Sequence, residues 1–379
     1  MKLGIVMSTG TSCQKLEEVG ALSRSLKCYG ALSKMVGCSI LFSYTRNINR
    51  ERSLIEKYDK VFSLRQVGIS GSFQKFRYAD LINSYIHSFI KRKETPRCDL
   101  YRSMQIPGSW LAKSLAKLHG VPFVLRAGYL WSNSARLNIN KSLKGRLMYY
   151  WILRKEKVLC QSADAIIVSA QNIKDTIVAK HLIDEEKIKV IGTPIDTDLF
   201  KPNNGICPQR DVLLVGRLIE LKNYESVIPA IAKLNLTATI IGNGEIKNKL
   251  RNLAKQHGAK IDWIDRVKNE KIPEFMANHK LYLIPSHIEG CAKSLLEALS
   301  FGMVCIASDI KANRDMIKNG YNGFLCGRST EEIKDSIQYV SKFRNKNLIR
   351  KNARKLILEN YSLENSVAKE IELYDSLLN

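Results

Sequence analysis

The feature that most constrains this chain is an alternation of short apolar runs with longer stretches of helical pattern, carried through the sequence twice. In the first half the runs are L-G-I-V-M at 3–7, C-S-I-L-F-S at 38–43, V-P-F-V-L at 121–125 and D-A-I-I-V at 164–168. In the second half they are V-L-L-V at 212–215, T-A-T-I-I at 237–241, I-D-W-I at 261–264, L-Y-L-I at 281–284 and M-V-C-I-A at 303–307. Apolar runs without polar alternation are what strands covered on both faces look like. Helical candidates such as 222–234 and 292–301 lie between them. Repetition of strand and helix builds parallel sheets with helices on both faces. The expected fold is α/β, with two Rossmann-like doubly wound domains facing a cleft. A length of 379 residues suits two domains at ~150 residues each.

The break falls at 192–211, G-T-P-I-D-T-D-L-F-K-P-N-N-G-I-C-P-Q-R-D, which holds three of the nine prolines and reads as an inter-domain linker. The expected boundaries are a first domain over 1–193, a linker over 194–210 and a second domain over 211–360. In open α/β sheets ligands bind at the carboxyl ends of the strands. The loops expected to carry function are therefore 8–12, 126–131, 216–222, 242–245, 265–268 and 285–293.

Lys and Arg number 60 against 36 Asp and Glu, a formal net charge of +24. That excess favours a polyanionic partner: a phosphate-rich small molecule, an anionic membrane face or nucleic acid. No recognisable nucleic-acid module or aromatic-interleaved basic motif is present, so a nucleic-acid partner is not expected. Nine cysteines without a C-x-x-C pair make poor material for zinc or a disulfide framework, and a reducing cytoplasm is the expected location. The N-terminal M-K-L-G-I-V-M-S-T-G is too short in apolar residues for a signal peptide. No run approaches the ~18 apolar residues of a membrane span. A cytoplasmic protein, soluble or peripheral on the inner face of the membrane, is expected. Two basic stretches bear on that. Residues 141–157 carry six cations and one acid around an aromatic–aliphatic centre, and 342–355 carry seven cations and no acid. Each reads either as an ordinary helix with a solvated face or as a surface for anionic lipid.

Two constellations carry chemistry. In V-L-L-V-G-R-L-I-E-L-K-N-Y a strand ends at Val215, Gly216 permits a tight turn, and Arg217 and Lys222 follow before a helix. Two cations beside a helix N-terminus suit a diphosphate, because charge and backbone N–H groups converge there. The plainer reading is a solvated Arg and Lys. In I-P-S-H-I-E-G-C-A-K-S-L-L-E-A-L-S-F-G a strand reaches Pro285 and a loop carries Glu289 and Gly290. A helix then begins near Ala292, with amides near Ser294 and Leu295 at its anion-favouring end and Lys293 adding charge. Glu297 lies inside that helix, and its plainer reading is a surface glutamate. Six histidines (87, 119, 181, 257, 279 and 287) show no metal-binding spacing; His119 reads as a helix C-terminal residue and His287 as loop packing.

The form E289-G-C-A-K-S-L-L-E297-A, the segments G216-R217-L and K222-N, I-I-G-N-G-E at 240–245, F-G-M-V-C-I-A-S-D and N-G-Y-N-G-F-L resemble family 4 of the retaining glycosyltransferases, of the bacterial cell-surface glycan type. G-T-P-I-D-T-D-L-F-K-P between the domains is similar too. The match is good over about 160–327 and loose over the first 100 residues. The resemblance implies the GT-B fold, a nucleotide-diphosphate sugar as donor and a saccharide or lipid-linked acceptor, with residues 361–379 returning to the first domain. It implies that Arg217 and Lys222 neutralise the donor diphosphate and Glu289 contacts hydroxyls of the transferred sugar. Glu297 would hold the ribose, and Ser294 and Leu295 would offer amides to phosphate. Gly216, Gly242, Gly244 and Gly290 would form the donor loops, with Arg266 and Val267 at the nucleobase and Gly10 in the first-strand loop. Three departures stand out: Ala292 where many members have glycine, Asp315 where many have glutamate, and Gly128 where many have histidine. Arg126 and Tyr129, in R126-A-G-Y-L-W, are then the candidates on the acceptor side, against the plainer reading of a buried ion pair and a packing tyrosine. D196-T-D198 matches a metal-holding pattern of another glycosyltransferase fold but sits in the linker, so no metal and no resident cofactor are expected. Retention is inherited from the resemblance. The alternatives are another GT-B enzyme (a nucleotide-sugar epimerase or glycan phosphorylase), a catalytically dead descendant, or a basic nucleic-acid-binding protein.

Overall fold

The computed structural model describes every residue except 46, 57–61, 68–94, 136–141, 204 and 206. His87 and the first residue of the 141–157 stretch lie outside the described residues. The chain divides into two compact units, Met1–Gly192 with Ser366–Asn379, and Thr193–Asn365.

The first unit holds a seven-stranded sheet built from β1 (Lys2–Val6), β2 (Cys38–Ser43), β3 (Ser63–Gln66), β4 (Leu100–Ser103), β5 (Phe123–Ala127), β6 (Ala165–Val168) and β7 (Ile188–Val190). Their order is β3-β2-β1-β4-β5-β6-β7 and every pairing is parallel. The second unit holds β8 (Arg210–Val215), β9 (Thr237–Ile241), β10 (Lys260–Ile264), β11 (His279–Ile284), β12 (Val304–Ser308) and β13 (Phe324–Cys326). They pair in the order β10-β9-β8-β11-β12-β13, again all parallel. Both sheets are doubly wound α/β layers. In each, the strand order reverses beside the first strand, at β1/β4 and at β8/β11, and ligands bind at the carboxyl ends of such a switch point.

Most of the apolar runs became strands covered on both faces, and β5, β6 and β12 are buried at every residue, whereas the edge strand β10 has none of its residues buried. Four strands carry no such run. β3 and β7 are short edges, β13 has three residues, and β4 reads L-Y-R-S. Arg102 in β4 is 1% exposed, so a charge conceals a central strand.

The proline-rich segment after Gly192 is not a free linker. Ile195 and Phe200 are each 1% exposed and lie in the core of the second unit. The Ile195 amide donates to the Tyr361 carbonyl (2.8 Å) and the Leu363 amide to the Ile195 carbonyl (3.0 Å). Two apolar anchors and a backbone bridge fix the segment where composition alone reads a linker. Asp196 uses its carboxylate to accept the Leu199 amide (2.9 Å), capping this turn.

The last helix, Leu363–Leu378, gives its residues from Ser366 onward to the first unit. There Glu370 pairs with Arg126, lies 3.4 Å from Arg102 Nη1 and accepts the Tyr374 hydroxyl (2.7 Å). Burial alone would raise this carboxyl, but the two guanidiniums and the Tyr374 hydroxyl hold it below the usual value. In the basic helix Leu143–Ser162 the second half packs through Glu156, Leu159 and Cys160. The first half leaves Leu143, Leu147 and Tyr150 exposed. Among the described residues no helix is long and apolar enough to cross a membrane.

Candidate active site

At the carboxyl end of β8 the chain runs through Gly216, Arg217 and Leu218 beside Gly242, Asn243 and Gly244, which leave β9. Backbone hydrogen bonds join the two loops: the Gly216 amide to Ile241 O (3.0 Å), the Leu218 amide to Asn243 O (3.0 Å) and the Ile246 amide to Leu218 O (3.2 Å). The approach is so close that a Cβ on Gly242 would overlap the Gly216 carbonyl oxygen, and one on Gly244 the Leu218 carbonyl. Glycine is a steric requirement at both positions.

The loop after β11 is tied into the same structure. The His287 amide donates to Leu221 O (2.8 Å). Asn223 adopts a left-handed backbone (φ 53°), a conformation in which Asn is enriched. Its side-chain amide donates to the carbonyls of Pro285 (3.2 Å) and Arg328 (2.9 Å). Ser226 Oγ donates to Asn223 Oδ1 (2.7 Å), so this side chain fastens both strand-end loops together.

Lys222 closes the turn Glu220–Lys222 and its ammonium pairs with Glu289. The pair is largely enclosed, with side chains 18% and 10% exposed. Glu289 also accepts the Ser286 hydroxyl (2.6 Å). Tyr224, fully buried beneath, has its phenol pushed up by burial and by the Glu289 charge, so it stays protonated. A Cβ on Gly216 would stand 2.9 Å from the Tyr224 hydroxyl. Arg217 is exposed and, among the described residues, makes no ion pair or hydrogen bond through its side chain. His287 has its pKa lowered by partial burial and by Arg328.

The helix Lys293–Phe301 starts at Ala292 with no side-chain cap. Ser294 Oγ donates to Val215 O (3.3 Å), which fastens the helix start to the end of β8. The Leu295 amide already turns back to the Ala292 carbonyl (3.0 Å). Of the two amides named from the sequence, Ser294's remains for an anion and Leu295's is engaged, because the first turn closes tightly. Glu297 is 3% exposed and accepts the Asn269 side-chain amide (3.1 Å); it is no surface glutamate. Asn269 follows directly on the loop of Arg266 and Val267. Val267 packs on the core while Arg266 is exposed. Gly290 is buried between Glu289 and the helix start.

The second unit therefore gathers Gly216, Lys222, Gly242, Gly244, Glu289, Gly290, Ser294 and Glu297 around the β8/β11 switch point, with Arg217 and Arg266 projecting outward. Sequence reading missed Asn223, Ser286 and Asn269, which orient these groups. Asn223 alone left a signal, as the residue after Lys222 at the point where a loop must turn into a helix. An exposed cation, a second cation held by an acid and an uncapped helix start in one place are an arrangement chemically suited to a diphosphate, through charge and N–H donation.

In the first unit Gly10 lies in the turn after β1 with φ 69°, a conformation that favours glycine. Arg126 does not stand free for an acceptor: its guanidinium bonds Glu370 and it is 7% exposed. A buried strand position with a carboxylate opposite leads to that outcome. Tyr129 is half-buried in the loop after β5. Gly128 donates its amide to Gln105 Oε1 (2.9 Å), and a Cβ there would stand 2.9 Å from Gln105 Nε2. The Gln105 side chain thus fills the space that a larger residue 128 would need.

Two Rossmann-like α/β units, each with a parallel doubly wound sheet, are the architecture of the GT-B class. The Glycosyltransferase Family 4 model matches residues 51–199 and the Glycosyl transferases group 1 model matches 196–356. The chain belongs to these glycosyltransferases. It is 26% identical over 310 residues to the Escherichia coli UDP-Gal:alpha-D-GlcNAc-diphosphoundecaprenol alpha-1,3-galactosyltransferase, covering 76% of this chain and 78% of that one. It is 32% identical over 127 residues to a Campylobacter jejuni alpha-1,4-N-acetyl-D-galactosaminyltransferase named for a PP-undecaprenol acceptor, covering 32% and 35% of the two chains. The fold matches Anabaena HepE in complex with UDP and glucose with a TM-score of 0.77 at 16% identity, over the whole of both chains.

Proposed function

We propose that this glycosyltransferase takes a UDP-sugar as donor. Its acceptor is a saccharide carried on a polyprenyl diphosphate, and it serves surface polysaccharide or lipopolysaccharide assembly at the inner face of the cytoplasmic membrane. The observation that carries the donor reading is the Lys222–Glu289 pair beside exposed Arg217 and the uncapped helix at Ser294. UDP is supported by the relatives named for it, and the lipid-linked acceptor by two relatives named for undecaprenol-linked substrates.

In this reading Arg217, Lys222 and the Ser294 amide take the diphosphate, Glu297 with Asn269 the ribose, and the Arg266–Val267 loop the base. Glu289 takes hydroxyls of the sugar. The bond between the anomeric carbon and the diphosphate oxygen breaks as charge moves onto the leaving group. Fixed cations and amides stabilise that charge, each such donor being worth ~3 kcal/mol. The acceptor hydroxyl forms the new bond on the same face and passes its proton to the departing phosphate. The configuration is retained, and the cations take the place of a metal.

The test is thermal unfolding of the protein against UDP, GDP, ADP, TDP and CMP, with and without EDTA, followed by turnover. At about 100 times its dissociation constant UDP adds ~2.7 kcal/mol. The expected result is stabilisation by UDP, unaffected by EDTA, absent in Arg217→Ala and kept in Glu289→Gln, whose turnover collapses. No stabilisation of the wild type by any nucleotide would sink the donor assignment.

A further inference from the structure

The second unit carries a cavity of about 860 Å³ at the end of its sheet opposite the donor loops. His279 and Lys280 open β11 there and Met303 stands just before β12, whereas the donor loops leave the other ends of the same parallel strands. Six residues of β11 separate the two places by about 20 Å. The cavity belongs to no part of the reading above.

Its lining joins two chemistries. One wall is the helix Lys346–Asn360, which presents Arg350, Lys351, Arg354 and Lys355, and the basic surface continues at Lys280; Glu359 is the one acid of the lining. The opposite wall is apolar and includes Met276, Phe301 and Met303. Lys280 is held by Asp211 (2.9 Å), and Lys355 lies 3.8 Å from Glu359. Arg354 is different. Its guanidinium donates to the carbonyls of Thr197 (2.9 Å), Phe200 (2.8 Å) and Ser300 (3.0 Å) and to the Ser300 hydroxyl (2.8 Å). All four partners are neutral, and among the described residues it forms no ion pair. A half-buried positive charge is thus fixed in the wall by neutral oxygens, with the Asp198 carboxylate acting on it only from beyond ion-pair contact. Arg350 and Lys351 add charge on the same face with no carboxylate partner among the described residues, and like charges one turn apart repel one another. An anion relieves that repulsion, and phosphate suits guanidinium forks. A volume of this size holds a small organic ligand.

We propose that this cavity binds a phosphate ester, with Arg350, Lys351 and the fixed charge of Arg354 on the phosphate and Phe301 and Met303 against the apolar part. The ester comes either from a membrane lipid or from a soluble metabolite. Isothermal titration of the full chain with dihexanoyl phosphatidic acid below its micelle concentration, and with glycerol 3-phosphate, tests the site and separates the sources. Saturable binding is expected, about tenfold weaker in Arg350→Ala/Lys351→Ala. It should stay within about twofold of wild type in Lys342→Ala/Arg344→Ala, which removes the same charge elsewhere on the unit. Preference for phosphatidic acid by about tenfold assigns a lipid source, and equal affinity assigns a soluble one; both support the site. Stabilisation by UDP, read on the same variants, should not change, so a failed donor assignment and a failed cavity assignment are told apart. No saturable binding of either probe, or equal loss in both double variants, overturns the proposal.

Discussion

Replacing Glu370 with Gln keeps the shape of the side chain and removes its charge. The two guanidiniums it faces stay behind: Arg102 is 1% exposed and Arg126 7%. Among the described residues Arg102 Nε and Nη1 have no hydrogen-bond partner, so the attraction of Glu370 is what balances its burial. Removing one partner of a buried pair costs about 3–5 kcal/mol, because the remaining charge is left uncompensated. With a slope of ~2 kcal/mol per molar urea, the unfolding midpoint of the first unit falls by ~1.5–2.5 M. Three of the four tryptophans, Trp110, Trp131 and Trp151, lie in that unit, so their fluorescence follows it. Acidity supplies a second reading. The folded carboxyl titrates below its usual value, so its contribution is complete above about pH 4.3 and disappears as pH falls through the folded value. In that acid window wild type loses more stability than Glu370→Gln, the difference being the share of this one carboxyl. A midpoint shift below ~0.5 M, or parallel acid profiles, would refute the reasoning.

Gly242→Ala forces the Gly216 carbonyl away and strains the three backbone hydrogen bonds between the β8 and β9 loops, a loss of ~3 kcal/mol. Stabilisation by UDP should disappear with it; unchanged melting and unchanged UDP response would show that the loops separate without consequence. His279 is held neutral by burial, with Nδ1 against the Phe275 carbonyl (2.6 Å) and Nε2 against Thr239 Oγ1 (2.8 Å). Its folded pKa lies below the usual 6.5, so the unfolded chain takes up the proton first. Stability from this group is complete above pH 6.5 and declines as pH falls. The melting temperature of wild type should drop between pH 7.5 and 5.5 by more than that of His279→Gln, and identical slopes would contradict the assignment.

How much of this was legible in the sequence follows from where charge and apolarity coincide. Strands such as 212–215 and 303–307 could be read because both faces are covered by helices and every position is apolar. β4 could not, because Arg102 is tolerated there only through Glu370, more than 250 residues away in the chain. The same long-range pair decided Arg126 in favour of an ion pair over an acceptor contact. The linker misled for a related reason: Ile195 and Phe200 are ordinary apolar letters among prolines, and only the tertiary fold shows that they are anchors. The loops at the β8/β11 switch point were legible because their requirements are local. Gly242 and Gly244 answer a backbone crossing, and Glu289 and Glu297 sit at fixed offsets from one helix start. The residues that orient them, Asn223, Ser286 and Asn269, work through contacts that no spacing records.

If the proposed site is right, the largely enclosed Lys222–Glu289 pair links the two halves of donor recognition. In the free enzyme the cation assigned to the diphosphate is held by the acid assigned to the sugar, and Ser286 supports only the acid. A diphosphate must compete with Glu289 for the Lys222 ammonium, whose three donors can serve both only with some loss. On the proposed reading, when Lys222 turns to phosphate Ser286 keeps its bond to Glu289 Oε1, the oxygen both share, and Oε2 is the one left to meet a sugar hydroxyl. Neutralising the acid should therefore tighten UDP alone, by about three- to tenfold for a half-enclosed pair worth ~1 kcal/mol, while turnover of the UDP-sugar falls. In a Lys222→Ala background Glu289→Gln should leave UDP affinity unchanged, since the competition no longer exists. The double-mutant cycle isolates that term. Weakening of UDP by Glu289→Gln to the same degree in both backgrounds would mean that Glu289 supports the loop directly and that the two recognitions are independent.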